Sequence, residues 1–330
     1  MMEIPLFSPA LLAMLAFVYG ALAVGSIVRF IALRQADRDL RKKRLASLCT
    51  WWLLSLVVGV ALLVGHPGVC LLMALVSGAA FREYAKLVGS NPMDKRANSA
   101  VYLVLCINYL LLLFGKDREF VIFIPFLSLL LPAVFQLLQG RTEGYIRSTA
   151  GLYWGSMVLI YALSHTVLLF ILPETSKGPA GGAGWFLYLL LVTETNDIAQ
   201  ALVGRRLGAH NRHRIAPMVS PNKTWEGFTG GFFVTVFWAA VLAPWMTTLT
   251  SLHISIGFLT APAWVTPFAA GALISLAGFL GDINMSAIKR DAGVKDSSTL
   301  LPGMGGLIDR IDSLTFTAPV FIYFVHILSA

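Results

Sequence analysis

The sequence predicts an all-α polytopic integral membrane protein with about nine to ten transmembrane helices and its N-terminus outside the cytoplasm. Hydrophobic residues make up 57% of the chain and charged residues only 13%, whereas a soluble domain is roughly 45–50% apolar. The apolar residues fall into runs of about 20 residues, the length that crosses a bilayer. Basic residues gather in alternate loops between those runs. A soluble globular domain is therefore excluded.

Ten apolar segments are long enough, or nearly so, to span a membrane. The first is too long for a cleaved signal peptide and lacks a small-residue cleavage site, so we interpret it as an anchor. The fourth is the shortest candidate. In chain order the segments cover residues 6–33, 46–64, 68–87, 100–114, 120–138, 151–172, 185–203, 228–250, 263–280 and 314–328.

The loops that follow odd-numbered segments are basic, whereas the even-numbered loops contribute only Lys116, Arg118 and Lys177. Because Lys and Arg concentrate on the cytoplasmic side, the odd loops are predicted to be cytoplasmic and both termini to lie outside. The net charge of +8 is then mainly a consequence of topology, with some attraction to anionic lipid. No nucleic-acid partner is predicted. The basic residues of the odd loops are Arg34, Arg38, Arg41, Lys42, Lys43, Arg44, Lys95, Arg96, Arg141, Arg147, Arg205, Arg206, Arg212, Arg214, Lys223, Lys289, Arg290, Lys295 and Arg310.

The chain divides into two regions by its polar content. Residues 1–180 are poor in chemistry and are predicted to anchor the protein and face lipid. Residues 181–330 carry polar groups into the membrane and are predicted to hold the functional site. In the first region the charged residues that end the third segment, Arg82 and Glu83, are interpreted as snorkelling side chains.

Three cysteines lie in the first region. Cys49, Cys70 and Cys106 stand singly in apolar runs. Their spacing fits neither a disulfide framework nor a zinc site. We interpret all three as packing residues.

Two acidic residues interrupt the seventh apolar segment. Glu194 and Asp197 are three residues apart and share one face of a helix. Carboxylates at that depth need a cation, a basic partner or a proton. A cation site is the functional interpretation, and a salt bridge to a neighbouring helix is the structural alternative.

Loop seven closes with residues 220–227, which run into paired glycines and the eighth segment. Pro221 and the glycines predict a tight turn whose backbone N–H groups face an anion, with Lys223 and Thr224 as further donors. The glycine spacing of a Walker A loop is absent. The alternative is a plain turn that begins the next helix.

The densest charge lies between the last two apolar segments, at residues 281–312. On a helix Asp282, Ser286 and Lys289 share one face. That face combines a carboxylate, a hydroxyl and an ammonium, which together suit a metal-bound phosphate. A solvated cytoplasmic loop is the alternative for the whole stretch.

The end of this stretch repeats the pattern. Asp309 and Asp312, at i and i+3, offer two hard oxygen ligands to Mg²⁺, which usually binds through one or two carboxylates and substrate phosphates. Arg310 and Lys295 would neutralise the remaining phosphate charge.

The residues of the second region form a long pattern. It reads Ser286-x-Ile288-Lys289-Arg290, then Lys295-Asp296-x-Ser298, then Leu301-Pro302-x-x-Gly305-Gly306-x-x-Asp309-Arg310-x-Asp312. This pattern resembles the signature of the phosphatidate cytidylyltransferases, also called CDP-diacylglycerol synthases. The resemblance extends upstream through Asn196-Asp197 and residues 204–208 and 220–227, whereas the first six segments match only as generic hydrophobic helices.

The resemblance implies Mg²⁺-dependent transfer of the cytidylyl group from CTP to phosphatidate, giving CDP-diacylglycerol and pyrophosphate in phospholipid biosynthesis. Mg²⁺, alone or with a second cation, would be held by Asp197, Asp282, Asp309 and Asp312. Catalysis is assigned by the same resemblance to Asp282, Lys289, Asp309 and Arg310. Substrate binding is assigned to Ser220, Lys223, Thr224, Ser286, Arg290, Lys295, Asp296, Gly305 and Gly306.

One position departs from the family pattern. The family has histidine before the paired glycines, where this chain has Met304. A thioether neither carries a proton nor makes a strong hydrogen bond, so a catalytically weakened relative that binds cytidine nucleotide or CDP-lipid stays open.

Two further classes are weighed against cytidylyl transfer. An ion-coupled transporter would use Glu194 and Asp197 for its cation, but the sequence lacks the internal symmetry of inverted repeats. A phosphotransferase that uses CDP-activated alcohols would need an aspartate motif that is absent. The compact helical plan favours a bacterial cytoplasmic membrane with the active site facing the cytosol, and a homodimer is compatible with the sequence.

Overall fold

The computed structural model describes residues 8–34, 37–88, 95–140, 142–208, 213–256 and 259–329, and helices dominate them. Within these residues nine helices are long and apolar enough to cross a membrane, and Ala97–Leu113 is a shorter apolar helix. The predicted all-α polytopic membrane fold is confirmed. The helices are α1 (Pro9–Ala32), α2 (Arg38–Val64), α3 (His66–Leu87), α4 (Lys95–Leu113), α5 (Asp117–Leu137), α6 (Tyr145–Ser156), α7 (Leu163–Leu168), α8 (Gly181–Leu207), α9 (Trp225–Met246), α10 (Thr266–Asp291), α11 (Ile308–Ile311) and α12 (Leu314–Ser329).

Three helices continue beyond the apolar segments that predicted them. α2 starts within the basic run of loop one, α8 continues into loop seven, and α10 reaches Asp291. Hydropathy marks only the part of a helix inside the bilayer, whereas Lys and Arg are good helix formers in water. Lys289 and Arg290 also complement the helix dipole in the last turn of α10. Asp282, Ser286 and Lys289 therefore lie on one continuous helix.

Two short antiparallel hairpins interrupt the helical chain. One pairs β1 (Arg214–Ala216) with β2 (Ser220–Thr224), and the other pairs β3 (Ser255–Ile256) with β4 (Leu259–Thr260). The tight turn predicted for residues 220–227 is therefore wrong, because a strand leads directly into α9. Thr224 caps that helix, its Oγ1 accepting a hydrogen bond from the Gly227 N–H at 3.1 Å.

Small residues bring the helices of the second region close together. A Cβ added at Gly227 would lie 2.8 Å from the Gln200 carbonyl oxygen of α8, and one at Gly271 would lie 2.6 Å from Ala239 Cβ of α9. Small residues have this role in membrane bundles because they let helix backbones approach closely. α8, α9 and α10 thus pack as one unit.

A buried amide joins the same three helices. Asn196 Oδ1 of α8 lies 2.9 Å from Gln200 Nε2, 3.2 Å from Thr235 Oγ1 of α9 and 2.7 Å from Ser275 Oγ of α10. Asn196 and Gln200 are buried. This hydrogen-bonded cluster, Asn196–Gln200–Thr235–Ser275, fixes the helices just beneath Asp197.

Two connections between distant parts of the chain meet at one end of the bundle. Arg290 Nε, at the end of α10, donates to the Val219 carbonyl of the first hairpin at 3.2 Å. Thr50 Oγ1 of α2 donates to the Pro302 carbonyl at 3.0 Å. The residues predicted to bind phosphate in loops seven and nine are thereby brought to the same side.

The first region does more than anchor the chain. Glu83, near the end of α3, is only 5% exposed and accepts hydrogen bonds from residues beyond position 296. The prediction that it snorkels is therefore wrong: its carboxylate points into protein, where it finds donors, and Arg82 beside it is exposed. Sequence position near the end of an apolar run did not distinguish the two.

The three cysteines have different environments. Cys70 is buried, and its Sγ donates to the Tyr109 carbonyl at 3.3 Å. Cys49 and Cys106 are free and exposed. The packing interpretation therefore holds for Cys70 and is wrong for the other two, which lie on the outer faces of α2 and α4, where burial cannot be read from hydropathy alone.

Candidate active site

An open cleft of about 1130 Å³ lies between α8, the first hairpin, the start of α9 and α10. The charged residues of its wall come from stretches that the sequence singled out. Among the residues that line it are Asp197, Gln200, Gly204, Arg205, Ser220, Lys223, Thr224 and Asp282.

Lys223 is one of the basic residues that line this cleft. Its Nζ lies 2.6 Å from Asp282 Oδ2 and 3.1 Å from Gln200 Oε1. The two charged side chains are 18% and 21% exposed. The Phe279 ring lies 5.7 Å from the same ammonium. Strand β2 and helices α8 and α10 therefore converge on one ammonium group that faces the cleft.

Three carboxylates from separate elements interact beside Lys223. Asp197 of α8 interacts electrostatically with Asp282 of α10, and Asp312 interacts with both. Ser313 links two of them, because its Oγ donates to Asp197 Oδ1 at 3.0 Å and its N–H donates to Asp312 Oδ1 at 2.9 Å. A glycine makes this approach possible, since a Cβ at Gly281 would lie 2.6 Å from the Asp312 carbonyl oxygen.

The three carboxylates differ in whether a basic side chain neutralises their charge. Asp282 has Lys223 as an ion-pair partner, but within the described ranges no Lys or Arg lies within ion-pairing distance of Asp197 or Asp312. The described residues also contain no group of three His, Cys, Asp or Glu placed to hold a metal ion. Mg²⁺ usually binds through one or two carboxylates together with phosphate oxygens and water, so a metal held by Asp197 and Asp312 would need further ligands from a substrate and water. Glu194, one turn along α8, interacts with Asp197 and with Arg310.

Asp309 has a different environment from the other predicted metal ligands. Its Oδ1 lies 2.6 Å from Lys289 Nζ, and the two side chains are 8% and 12% exposed. Its Oδ2 accepts from the Ser297 N–H at 3.2 Å and the Gly306 N–H at 3.0 Å. Both oxygens of Asp309 are thus engaged by the loop and by Lys289. The structure groups Asp197, Asp282 and Asp312, and it places Asp309 with Lys289.

The remaining predicted residues of α10 and α11 serve separate roles. Ser286 Oγ donates to Asp282 Oδ1 at 3.3 Å, as expected for i and i+4. Arg290 Nη1 donates to the Val294 carbonyl at 2.9 Å, and its Nε binds the hairpin, so its guanidinium organises backbone. Arg310 is exposed.

The predicted loop residues divide between the cleft and the surface. Ser220 and Thr224 border the cleft, and Lys295 and Asp296 are exposed. Gly305 has φ +91°, a backbone conformation that residues other than glycine rarely adopt. Gly306 lies against Ser297 and Glu83.

Met304 lies in the turn that precedes the paired glycines. Its N–H donates to the Leu301 carbonyl at 3.0 Å, and Leu301 bridges to Gly305. The side chain is partly exposed. The backbone of the turn is therefore formed by hydrogen bonds that do not involve the side chain at this position.

Four residues of the site were missed by sequence reasoning: Glu83, Gln200, Ser297 and Ser313. Gln200 carried a usable signal, because it lies four residues after Asn196 on the same face of a largely apolar helix. Ser297 stood inside the pattern beside Asp296. Glu83 gave no local signal, since its partners lie far away in the chain, and neither did Ser313, whose hydroxyl donates to Asp197 on a distant helix.

Comparison with known proteins identifies the family of this chain. The model of the Cytidylyltransferase family matches residues 45–328, which extends well upstream of the pattern described above. A relative in Escherichia coli (strain K12), Uncharacterized protein YnbB, is 38% identical over 315 residues, which is 94% of this chain and 97% of that protein.

Several relatives carry the name Phosphatidate cytidylyltransferase. Those of Haemophilus influenzae and Staphylococcus aureus (strain COL) are each 36% identical, over 159 and 139 residues. The matches cover 48% and 42% of this chain and 51% and 48% of those proteins, so the chain spans about half their length. Because the family model covers most of the sequence and includes every charged residue of the cleft, this chain belongs to the cytidylyltransferase family.

Proposed function

We propose that this protein transfers the cytidylyl group of CTP to phosphatidate, forming CDP-diacylglycerol and pyrophosphate at the cytosolic face of a bacterial cytoplasmic membrane. The observation that carries the proposal is the position of Lys223, which faces an open cleft while it contacts Asp282, beside Asp197 and Asp312. An ammonium group beside several carboxylates is suited to binding a metal–nucleotide complex.

The chemistry joins two anions. A phosphate oxygen of phosphatidate forms a bond to the α-phosphorus of CTP, the bond from that phosphorus to the bridging oxygen breaks, and pyrophosphate leaves with the electron pair. A phosphate monoester carries about −1.5 to −2 charge at pH 7, so its oxygen needs no strong general base. The protein must instead hold the two anions together and neutralise their charge.

Residues that line the cleft and residues beside it would have separate roles in this reaction. Lys223 would bind the triphosphate, and Asp197 and Asp312 would hold Mg²⁺, with Asp282 keeping Lys223 in place. When bound, the metal would neutralise phosphate charge and polarise a phosphoryl oxygen. Lys289, which is ion-paired with Asp309, lies on the same face of α10 as Asp282. It would bind the lipid phosphate or the departing pyrophosphate.

Met304 favours a second candidate, a relative that binds CTP or CDP-lipid with little turnover. The position lies in the turn next to Gly305, close to the residues that hold Asp309. The backbone hydrogen bonds of this turn do not require histidine, which supports retention of activity. Transport is not proposed, because the chain belongs to a family of transferases.

The test is turnover by purified protein in detergent, supplied with CTP, labelled phosphatidate and Mg²⁺, with CDP-lipid and pyrophosphate both measured. Three variants accompany the parent: Asp312→Asn, Met304→His and, as a control at a loop predicted to lie on the opposite side of the membrane, Lys177→Gln. Turnover by the parent and the control, lost in Asp312→Asn, is the expected result. Turnover only after Met304→His would establish the weakened binder, and silence in all four with no CTP binding would reject both candidates.

A further inference from the structure

Glu83 binds the loop that carries the family pattern, although it comes from the region predicted only to anchor the protein. We define residues 297–308 as the signature loop. Glu83 Oε1 accepts from Ser298 Oγ at 2.6 Å and from the Leu307 N–H at 3.0 Å. Glu83 Oε2 lies 3.0 Å from Ser297 Oγ and accepts from the Ile308 N–H at 3.2 Å. Each carboxylate oxygen therefore meets one hydroxyl and one backbone N–H.

Gly306, the second of the paired glycines, makes this contact possible. A Cβ at Gly306 would collide with Ser297 Oγ and would lie 2.7 Å from Glu83 Oε2. Gly306 therefore leaves room for a carboxylate from another helix, a role that differs from the substrate contact predicted for it. Position 306 requires glycine because Ser297 and the Glu83 carboxylate occupy the space that a side chain there would fill.

The contact continues to the charged face of α10. Ser297, which Glu83 fixes, donates its N–H to Asp309 Oδ2, and Asp309 Oδ1 pairs with Lys289. A path of hydrogen bonds thus runs from Glu83 through Ser297 and Asp309 to Lys289. Each member is buried or nearly so.

We infer that Glu83 is a positioning residue: its carboxylate holds the signature loop in the conformation that orients Asp309 and Lys289 for the reaction. The catalytic consequence of this inference rests on the proposed function. The contact by which Glu83 holds the loop does not depend on it. Glu83 does not line the cleft, so its action on substrate is indirect. Two distant regions of the chain therefore build the site together.

Glu83→Gln is the sharpest variant because it preserves size. In either orientation of the amide, its NH₂ would face a backbone N–H, of Leu307 or of Ile308, which cannot reverse its role. Arg82→Gln is the matched control, since Arg82 is the exposed neighbour on the same helix. Ser298→Ala, which removes one donor to the same carboxylate, is the milder companion if Glu83→Gln fails to accumulate.

The first measurement is hydrogen–deuterium exchange with mass spectrometry on the full-length protein in detergent, which needs no activity. Faster exchange confined to peptides that contain residues 297–308 is expected for Glu83→Gln and, to a lesser degree, Ser298→Ala. Unchanged exchange in the loop would overturn the inference. Faster exchange throughout the protein with a large loss of thermal stability would also overturn it, because the residue would then be only structural.

The second measurement separates kcat from KM in the CTP and phosphatidate assay. A fall of roughly 100-fold in kcat, the size expected from a small displacement of reacting groups, with KM for CTP within about threefold of the parent, is expected for Glu83→Gln. A rise in KM alone would place Glu83 in substrate binding and overturn the inference. An inactive parent would reject the proposed function, and the exchange result would then decide the loop-holding role by itself.

Discussion

At the scale of single residues, Lys223 connects the cleft to the carboxylates. Lys223→Met is expected to lower kcat/KM for CTP by roughly 100-fold, because it removes a preorganised cation from a developing anionic centre. It also leaves Asp282 partly buried without its partner. Lys177→Met, in a loop predicted to lie on the other side, is the control and should retain full turnover. Equal values of kcat/KM for CTP in the two variants would show that Lys223 takes no part in the reaction.

Gly306 offers a second test at the residue scale. Gly306→Ala is expected to lower the free energy of unfolding by about 1–3 kcal/mol, because the added methyl overpacks a filled space. It should also reduce turnover by displacing Asp309. Gly25→Ala is the control, since nothing lies within 4 Å of a Cβ added there and alanine favours a helix. Thermal or denaturant unfolding in detergent, read beside turnover, compares them, and equal stability and turnover would argue against the close contact.

At the scale of secondary-structure elements, the Asn196–Gln200–Thr235–Ser275 cluster joins α8, α9 and α10. Asn196→Leu is expected to lower the free energy of unfolding by about 1–3 kcal/mol, since interhelical hydrogen bonds in membranes contribute on average about 0.6 kcal/mol and at most about 1.7 each. Activity should fall with it, because Gln200 also contacts Lys223.

The control for this cluster lies on the same helix. Ile198 is 53% exposed on the outer face of α8, so Ile198→Leu should change neither unfolding nor turnover. Unfolding in a denaturing detergent mixture measures both variants. Parent-like stability of Asn196→Leu would mean that small-residue packing alone holds the three helices.

At the scale of the whole molecule, the orientation in the membrane is open to a direct test. In a background where Cys49, Cys70 and Cys106 are replaced by alanine, a cysteine at Lys295 and another at Lys177 report the two sides. An impermeant maleimide should label the position-177 cysteine on intact cells and the position-295 cysteine only after permeabilisation. The reverse pattern would place the cleft outside the cytosol and rule out access to cytosolic CTP.

The features that sequence predicted are those encoded locally. Hydropathy located the spans, and helical spacing placed Asp282, Ser286 and Lys289 on one face. The pattern at the end of the chain identified the family. Hydropathy could not locate the ends of α2 and α10, because a helix continues where apolar residues stop.

The features that sequence missed depend on contacts between distant parts of the chain. Asp309 looked equivalent to Asp312, since both are acidic residues one helical turn apart. Only the fold separates them, directing Asp309 to Lys289 and Asp312 to Ser313 and Asp197. Glu83 looked like a snorkelling side chain because the donors that bind it lie more than 200 positions away, the hydroxyls of Ser297 and Ser298 at separations of 214 and 215.

The contact between Glu83 and Gly306 has a consequence for inheritance. A larger side chain at position 306 can persist only if the Ser297 hydroxyl moves away and position 83 becomes smaller, and a loss of the carboxylate at 83 leaves two N–H groups of the other region without acceptors. The two positions should therefore change together among descendants of this protein. Chimeras that join the first region of one relative to the second region of another should work only when both donors carry matching residues at these two positions.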